Sequence, residues 1–308
     1  VTAILRSLDP GSDLDLGPVP GPARRRPDQR GITTVLRVRN EADALPWSLP
    51  PVLRATAEVV LVDNGSTDGT PDVAREVAAD LGLSDRLRVL DYPALISRCG
   101  PEHLATPPGS PNSLVHFNNW AFDHVETTYG LKWDGDMVLT PEGEAMLADL
   151  AWQIGRHRVT VRLPRHPLYV ASDQVAYLDL GLHNVEHYGH PVRDEFSYVK
   201  AFEWEFLKFP ANSGAYTLPA GVCLELKRIH ADEFEHWTDP SAFATSPRTP
   251  RKRREYDVFR AIVDGTWQLR EHVHRIESPA GTHVVDHVME WLRTAPRPLV
   301  RDHQANAS

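Results

Sequence analysis

The sequence predicts an α/β fold, a Rossmann-like αβα sandwich with a mostly parallel central sheet and a C-terminal helical segment. Three observations predict it. Glu58–Val62 is a mostly continuous, β-branched apolar run, the composition of a strand covered on both faces. It runs into the polar loop Asp63-Asn64-Gly65-Ser66-Thr67-Asp68-Gly69-Thr70, and Val73, Val77 and Leu81 then recur at helical spacing. Ile32–Arg39 is followed in the same way by Leu45, Leu49 and Leu53, and the partly apolar stretch Tyr129-Leu131-Trp133 ends at Asp134-Gly135-Asp136. Strands that alternate with helical patterns point to βαβ units and a parallel sheet.

Taken in order, residues 1–30 hold several Pro and Gly and the triplet Arg24-Arg25-Arg26, with too little apolar content to pack alone; they are expected to be a flexible N-terminal extension. Residues 31–140 form the first half of the fold. Within it Thr70 is a candidate N-cap, Pro71 a good first helical residue, and Asp72 complements the helix dipole. Leu87–Tyr92 reads as a strand. The Pro-rich stretch Pro101–Pro111 reads as an ordinary surface excursion, with a flexible flap as the alternative. Residues 141–245 form the second half, opening with the cap Thr140-Pro141-Glu142 and a helix through Met146, Leu147, Leu150 and Ile154. Val159–Leu163, Leu168–Val170 and Val222–Ile229 read as strands, and 246–308 as the C-terminal helical segment.

The chemistry concentrates at strand ends. Asp63 stands at the carboxyl end of its strand, where open α/β sheets bind ligands, and can accept from a base N–H or from ribose hydroxyls. Asp134 and Asp136, one residue apart beside apolar stretches, raise one another's pKa and need a compensating cation. A hard divalent ion held by one or two carboxylates completes its shell with water and substrate phosphates. A plain Asp-Gly-Asp turn is the competing reading.

The run VLRVRNEADAL, then EVVLVDNGSTDGT, then Asn119 ahead of a D-x-D, resembles glycosyltransferase family 2, the inverting family with the GT-A fold. The resemblance covers roughly residues 31–140. It implies that Arg37, Arg39, Glu41, Asp63, Asn64, Ser66, Asn119 and Asp134 bind the nucleotide, and that Asp134 and Asp136 hold Mg²⁺ or Mn²⁺ between the phosphates of a nucleotide-sugar. Many members carry an aromatic where Arg39 stands; an arginine there can stack on a base or contact phosphate. In metal-dependent enzymes of this fold a His on a later strand is often a third ligand, which selects His230 over His236. The second half should supply the base for an inverting transfer. The candidates are Asp194, Glu195, Glu203 and Glu205, with Glu195 preferred. The basic run Arg248, Arg251, Lys252, Arg253 and Arg254 reads as a solvated helix face, or else as a phosphate clamp.

Composition sets the bounds. A net charge of −9 argues against general nucleic-acid binding, and no apolar run approaches the ~18 residues that span a bilayer. Cys99 and Cys223 lack metal-ligand spacing and read as reduced thiols of a cytoplasmic protein. The expected partners are a nucleotide-diphosphate sugar, with UDP-sugars first, and a small-molecule or glycan hydroxyl acceptor; peripheral membrane contact is compatible with this. Three other functions compete with this reading. A nucleotidyltransferase would place a Gly-rich loop where Arg39-Asn40-Glu41-Ala42 stands, and a catalytically silent carbohydrate-binding scaffold would leave the D-x-D unused. His183-Asn184-Val185-Glu186-His187 matches the inverted zinc-peptidase pattern H-x-x-E-H, which requires a helix.

Overall fold

The computed structural model describes residues 29–154, 157–181, 184–202, 204–229 and 249–294. Four parallel strands build its first half: β1 (Gln29–Val38), β2 (Glu58–Asp63), β3 (Leu87–Asp91) and β4 (Thr127–Asp134), side by side in the order β3-β2-β1-β4. The crossovers are α1 (Leu45–Ala55), α2 (Thr70–Asp80), the short α3 (Pro101–Ala105) and α4 (Leu114–Phe122). The expected strand-loop-helix succession is present. Leu45, Leu49 and Leu53 are fully buried, and this apolar stripe holds α1 together although Pro50 and Pro51 lie inside it.

Strand alternation divides the side chains between two cores. Leu36, Val38, Leu61, Leu131 and Trp133 face one core, and Val35, Val60 and Val62 face another that contains Phe117 and Phe122 of α4. Lys132 and Asp134 fall on the second side by the same alternation. The pairing sets Arg37 opposite Asp134 and Val38 opposite Asp63, so the carboxyl ends of β1, β2 and β4 converge.

The second half extends the same sheet with mixed pairing. It comprises β5 (Met137–Leu139), α5 (Pro141–Gln153), β6 (Val159–Ser172), β7 (Val175–Asp179), β8 (Asn184–Pro191), β9 (Ser197–Ala201), β10 (Trp204–Lys208), β11 (Gly214–Thr217) and β12 (Cys223–Arg228). Strand β8 runs antiparallel to both β4 and β6. The two strands expected at 159–163 and 168–170 are one long β6, which is parallel to β11 along 159–162 and to β12 along 166–170. Pro164, with no N–H to donate, lies between those two partner segments. Strands β9 and β10 form a separate two-stranded hairpin.

The C-terminal segment is not helical throughout. Between α6 (Thr249–Val263) and α7 (Val284–Thr294) it contributes β13 (Val273–Glu277), antiparallel to β7 at the end of the sheet. The Pro-rich excursion is tied down, with Lys200 Nζ donating to the carbonyls of Leu104 and Thr106 at 2.7 Å each.

Thr140 caps α5 as expected, its hydroxyl accepting from Gly143 N at 3.2 Å. The adjacent turn lies so close to Val222 that a Cβ on Gly143 would meet the Val222 carbonyl oxygen at 2.1 Å. Gly143→Ala is therefore expected to destabilise the fold by about 1–3 kcal/mol through backbone displacement. Urea unfolding with an unchanged midpoint would refute this.

Candidate active site

The loops after β1 and β2 are laced together by their own polar side chains. Asn40 N donates to Ser66 Oγ at 2.8 Å, and Thr67 N donates to Asn40 Oδ1 at 2.8 Å. Glu41 N donates to Thr70 Oγ1 at 2.9 Å, and Ala42 N to Asp68 Oδ2 at 3.0 Å. Asn40 holds a left-handed backbone (φ 57°), a conformation asparagine tolerates. Thr70 does not cap α2: Gly69 occupies the cap position, and the Thr70 hydroxyl bridges Glu41 N and Asp68 instead. Asp63 is buried and accepts from the N–H groups of Gly65 and Ser66 at 3.1–3.3 Å. Asn64 binds Ala94 O and Ile96 N, joining this loop to the segment after β3. The roles assigned to Asp63, Asn64 and Ser66 at the nucleotide thus begin with shaping the loop.

Beside these loops lies a layer of buried charge. Arg37, whose side chain is 12% exposed, pairs with Asp134, donates to Asn118 Oδ1 at 2.9 Å, and lies 3.6 Å from Glu205 Oε1. Lys132 Nζ approaches the same Glu205 oxygen at 3.2 Å. Arg165 lies 3.8 Å from Asp134 Oδ2, 3.2 Å from Glu225 and 3.7 Å from Glu186, and its guanidinium carbon sits 5.4 Å from the Tyr188 ring centre. Burial alone would raise the Asp134 pKa, but Arg37, Lys132 and Arg165 outweigh it and hold the carboxylate below its usual range. Glu205 is lowered in the same way against its own burial, by Lys132 and then Arg37.

Beside the D-x-D, Asp134 thus has two arginines as neighbouring cations, Arg37 paired with it and Arg165 3.8 Å from Oδ2. Strand β4 could have disclosed part of this, because Lys132 and Asp134 are two apart and share a face. Arg165, Glu225 and Asn118 left no local signal.

The layer continues to α6. Lys227 Nζ binds Glu225 at 3.0 Å, Arg251 lies 3.1 Å from Glu186, and Lys252 binds Glu255 at 2.6 Å. Arg251 and Lys252 thus face inward onto carboxylates and are not part of a solvated face, while Arg253 and Arg254 stay exposed.

Several expected residues land elsewhere. Asn119 turns from the site and clamps β9, exchanging 2.9 Å hydrogen bonds with both backbone groups of Tyr198. Its neighbour Asn118 reaches Arg37 instead, since consecutive helical residues point about 100° apart. Asp194 and Glu195 do not join the D-x-D. Antiparallel pairing sets Pro191 opposite Tyr129, and Val192 N donates to Thr128 O, so the chain leaves β8 at the amino end of β4. At roughly 3.3 Å per residue this is about 20 Å from Asp134. Glu195 there pairs with Arg158 at 3.1 Å. Glu205 is the described member of that candidate set that shares Arg37 with Asp134, and its side chain, 7% exposed, lies beside Arg37 and Lys132. Glu203, His230, His236, Arg248 and His183 lie outside the described residues.

Glu186 and His187 lie on strand β8, and strand alternation turns them to opposite faces, so the zinc-peptidase pattern lacks the helix it needs. His187 shares a 2.8 Å hydrogen bond with Thr160, and burial, with Arg162 nearby, lowers its pKa to about 4.

Glu41 and the D-x-D are brought together. A Cβ on Gly135 would meet Glu41 Cγ at 2.5 Å, so the glycine leaves the space through which Glu41 passes. Residues 33–93, the stretch holding Arg37, Glu41 and the laced loops, match the model of glycosyl transferase family 2. That stretch is the part of the chain similar to the family.

Solved structures similar to this chain include S. aureus TarS 1–349 in complex with UDP-GlcNAc (14% identity, 78% of this chain and 76% of that one, TM-score 0.41). A mannosyltransferase from Pyrobaculum calidifontis in complex with GDP-Man and Mn²⁺ has 21% identity over 50% of this chain and 39% of that one, TM-score 0.31. Glucosyl-3-phosphoglycerate synthase from Mycobacterium tuberculosis, with Mn²⁺, UDP and its glucosylated product, has 16% identity over 45% and 44%, TM-score 0.28. Against another TarS structure the chain spans 21% of that chain's length. No curated protein matches.

The donor set of this site suits a hard cation completed by a phosphate-bearing substrate. Glu41, Asp134 and Asp136 offer carboxylate oxygens, yet among the described residues no three potential ligands converge on a ready-made metal position. Asp134, beside its arginines, and Asp136 are the D-x-D carboxylates that fit an ion whose other ligands are phosphate and water. No helix among the described residues is long and apolar enough to cross a membrane.

Proposed function

We propose that this chain transfers a sugar from a nucleoside-diphosphate sugar, a UDP-sugar first among candidates, to a hydroxyl of a small-molecule or glycan acceptor, with inversion and with Mg²⁺ or Mn²⁺. One observation carries the reading: Glu41, packed against Gly135 of the D-x-D, joins the first strand's loop to the metal motif at the carboxyl ends of parallel strands. The laced loops of 40–42 and 63–70 hold one wall of the site in a single conformation. Arg37 and Arg165 keep Asp134 ionised and fixed in direction. Asp136 and Asp134 would hold the ion, with His230 as the further candidate ligand. A bound divalent ion supplies charge neutralisation to the departing diphosphate. The guanidiniums add fixed positive charge where that negative charge develops.

The test is thermal unfolding with UDP or GDP, each with and without Mn²⁺. A ligand that binds the folded state raises its stability as ln(1 + [L]/Kd). A diphosphate shift that requires Mn²⁺, with little shift from Mn²⁺ alone, is the expected outcome. A shift of equal size in EDTA would refute the metal, and no shift with either nucleotide would refute the donor reading. Inversion predicts a β-linked product from an α-linked donor, so a retained anomeric configuration would refute single displacement.

A further inference from the structure

Glu186 and the basic start of α6 have no part in the proposed transfer, yet ion pairs connect them to the D-x-D. Arg165 Nη1 on β6 lies 3.8 Å from Asp134 Oδ2 on β4, and its Nη2 lies 3.7 Å from Glu186 Oε1 on β8. The same Glu186 oxygen accepts from Arg251 Nη1 of α6 at 3.1 Å. Arg251 also donates to Asn184 Oδ1, and its Nε lies 3.4 Å from Glu255 one turn further along α6. Sheet register explains the meeting. Arg165 stands opposite Asn184 and Leu163 opposite Glu186, so Arg165 and Glu186 share a face. Tyr169, also on β6, donates through its hydroxyl to Glu255 O at 3.2 Å and seats α6 there.

Arg165 is the junction. Its side chain is 8% exposed, and carboxylate oxygens of Asp134, Glu186 and Glu225 all lie within 3.8 Å of it. A cation among three carboxylates takes the direction that their balance sets, and burial leaves such pairs little screened by water or salt. Glu225 has a second cation in Lys227, whose Nζ is 3.0 Å away. Glu186 has Arg251. With Arg251 in place Glu186 draws less strongly on Arg165, which stays beside Asp134.

Resting on the donor reading above, we propose that Glu186 and Arg251 are positioning residues that set the direction of Arg165, so that α6 governs how tightly the D-x-D holds a nucleoside diphosphate with Mn²⁺. Without Arg251, Glu186 loses the cation 3.1 Å away and Arg165 turns towards it. Asp134 keeps Arg37 but loses one of its two arginines, and that positive charge withdraws from the side where the diphosphate is bound.

The experiment is calorimetric titration of the full chain with UDP and with GDP, each in Mn²⁺, the tighter of the two serving as probe for the variants. Arg251→Met is expected to weaken the probe roughly 3- to 30-fold, the range for substitutions that act on a site through a coupled network. In an Arg165→Met background, and likewise in a Glu186→Gln background, the same substitution should change affinity by less than about 2-fold, because the residue that transmits the effect is gone. Arg251→Lys keeps a cation at Glu186 and should bind within about 2-fold of wild type. Tyr169→Phe loosens the seating of α6 without removing a charge and should leave the affinity near wild type. Arg251→Gln, which keeps a donor for Glu186 but no charge, replaces Arg251→Met if that variant does not fold. A structural role alone would lower the unfolding midpoint and leave the affinity unchanged, which would overturn the proposal. An equal effect with and without Arg165 would overturn the route through it, and equal weakening by Tyr169→Phe would overturn the role of charge. Binding of neither nucleotide by the wild type would overturn the donor reading itself and this proposal with it.

Discussion

Arg37→Met is expected to destabilise the protein by about 3–5 kcal/mol, the typical cost of removing one partner from a buried ion pair. The guanidinium is shared among Asp134, Glu205 and Asn118, and its side chain is 12% exposed. Methionine fills much of the volume but supplies no charge, so two carboxylates keep their desolvation cost and lose a cation. Lys132 remains beside Glu205, and Arg165 remains near Asp134, which caps the loss. Urea unfolding at neutral pH measures it, and a midpoint shift equivalent to less than about 1 kcal/mol would show that the pairs hold little of the fold's free energy.

The sign of the pH dependence follows from the same layer. Asp134, Glu205, Glu225 and Glu255 all have folded pKa values below their ordinary ones, in each case because neighbouring cations outweigh burial. Their contribution is present above the ordinary carboxylate range and is lost as pH falls through the folded values. The wild type should therefore lose more stability on acidification than Arg37→Met, whose Asp134 and Glu205 have already lost a cation.

Asp136→Asn is expected to lower transfer by about 10²–10³-fold or more, in line with removal of a group that fixes transition-state charge, while the unfolding midpoint stays near wild type. Asp134→Asn should behave differently. Its carboxylate is the counter-ion of Arg37 and lies near Arg165, so its loss leaves buried positive charge and lowers stability as well as turnover. The two variants thus separate loss of a ligand from loss of a ligand that is also a counter-ion. Wild-type turnover in Asp136→Asn would remove the metal assignment. Equal midpoints for the two variants would remove the distinction between the carboxylates.

Much of the first half was legible because its signals are local. The β-branched run Glu58–Val62, the stripe Leu45, Leu49 and Leu53, and the cap Thr140 each state their own conformation within a few residues. The polar loop Asp63–Thr70 could be placed at a strand end for the same reason. Its chemistry was less legible: Asp63 and Ser66 read as ligand-facing, whereas their first hydrogen bonds shape the loop. The second half failed where distance along the chain mattered. Glu195 has suitable neighbours in sequence, yet antiparallel pairing of β8 with β4 carries it to the amino end of the sheet, away from Asp134.

By itself the sequence determined the αβα order, the helix and strand periods, and the carboxylates Asp63, Asp134 and Asp136 at strand ends, because those depend on neighbours a few residues apart. Only the tertiary structure decided which cations face Asp134, that Asn118 rather than Asn119 meets Arg37, and that Arg39 and Arg98 line one cleft. Those relations join residues tens of positions apart. They are set by sheet register and by the need to pair every buried charge, and no short window of sequence contains either.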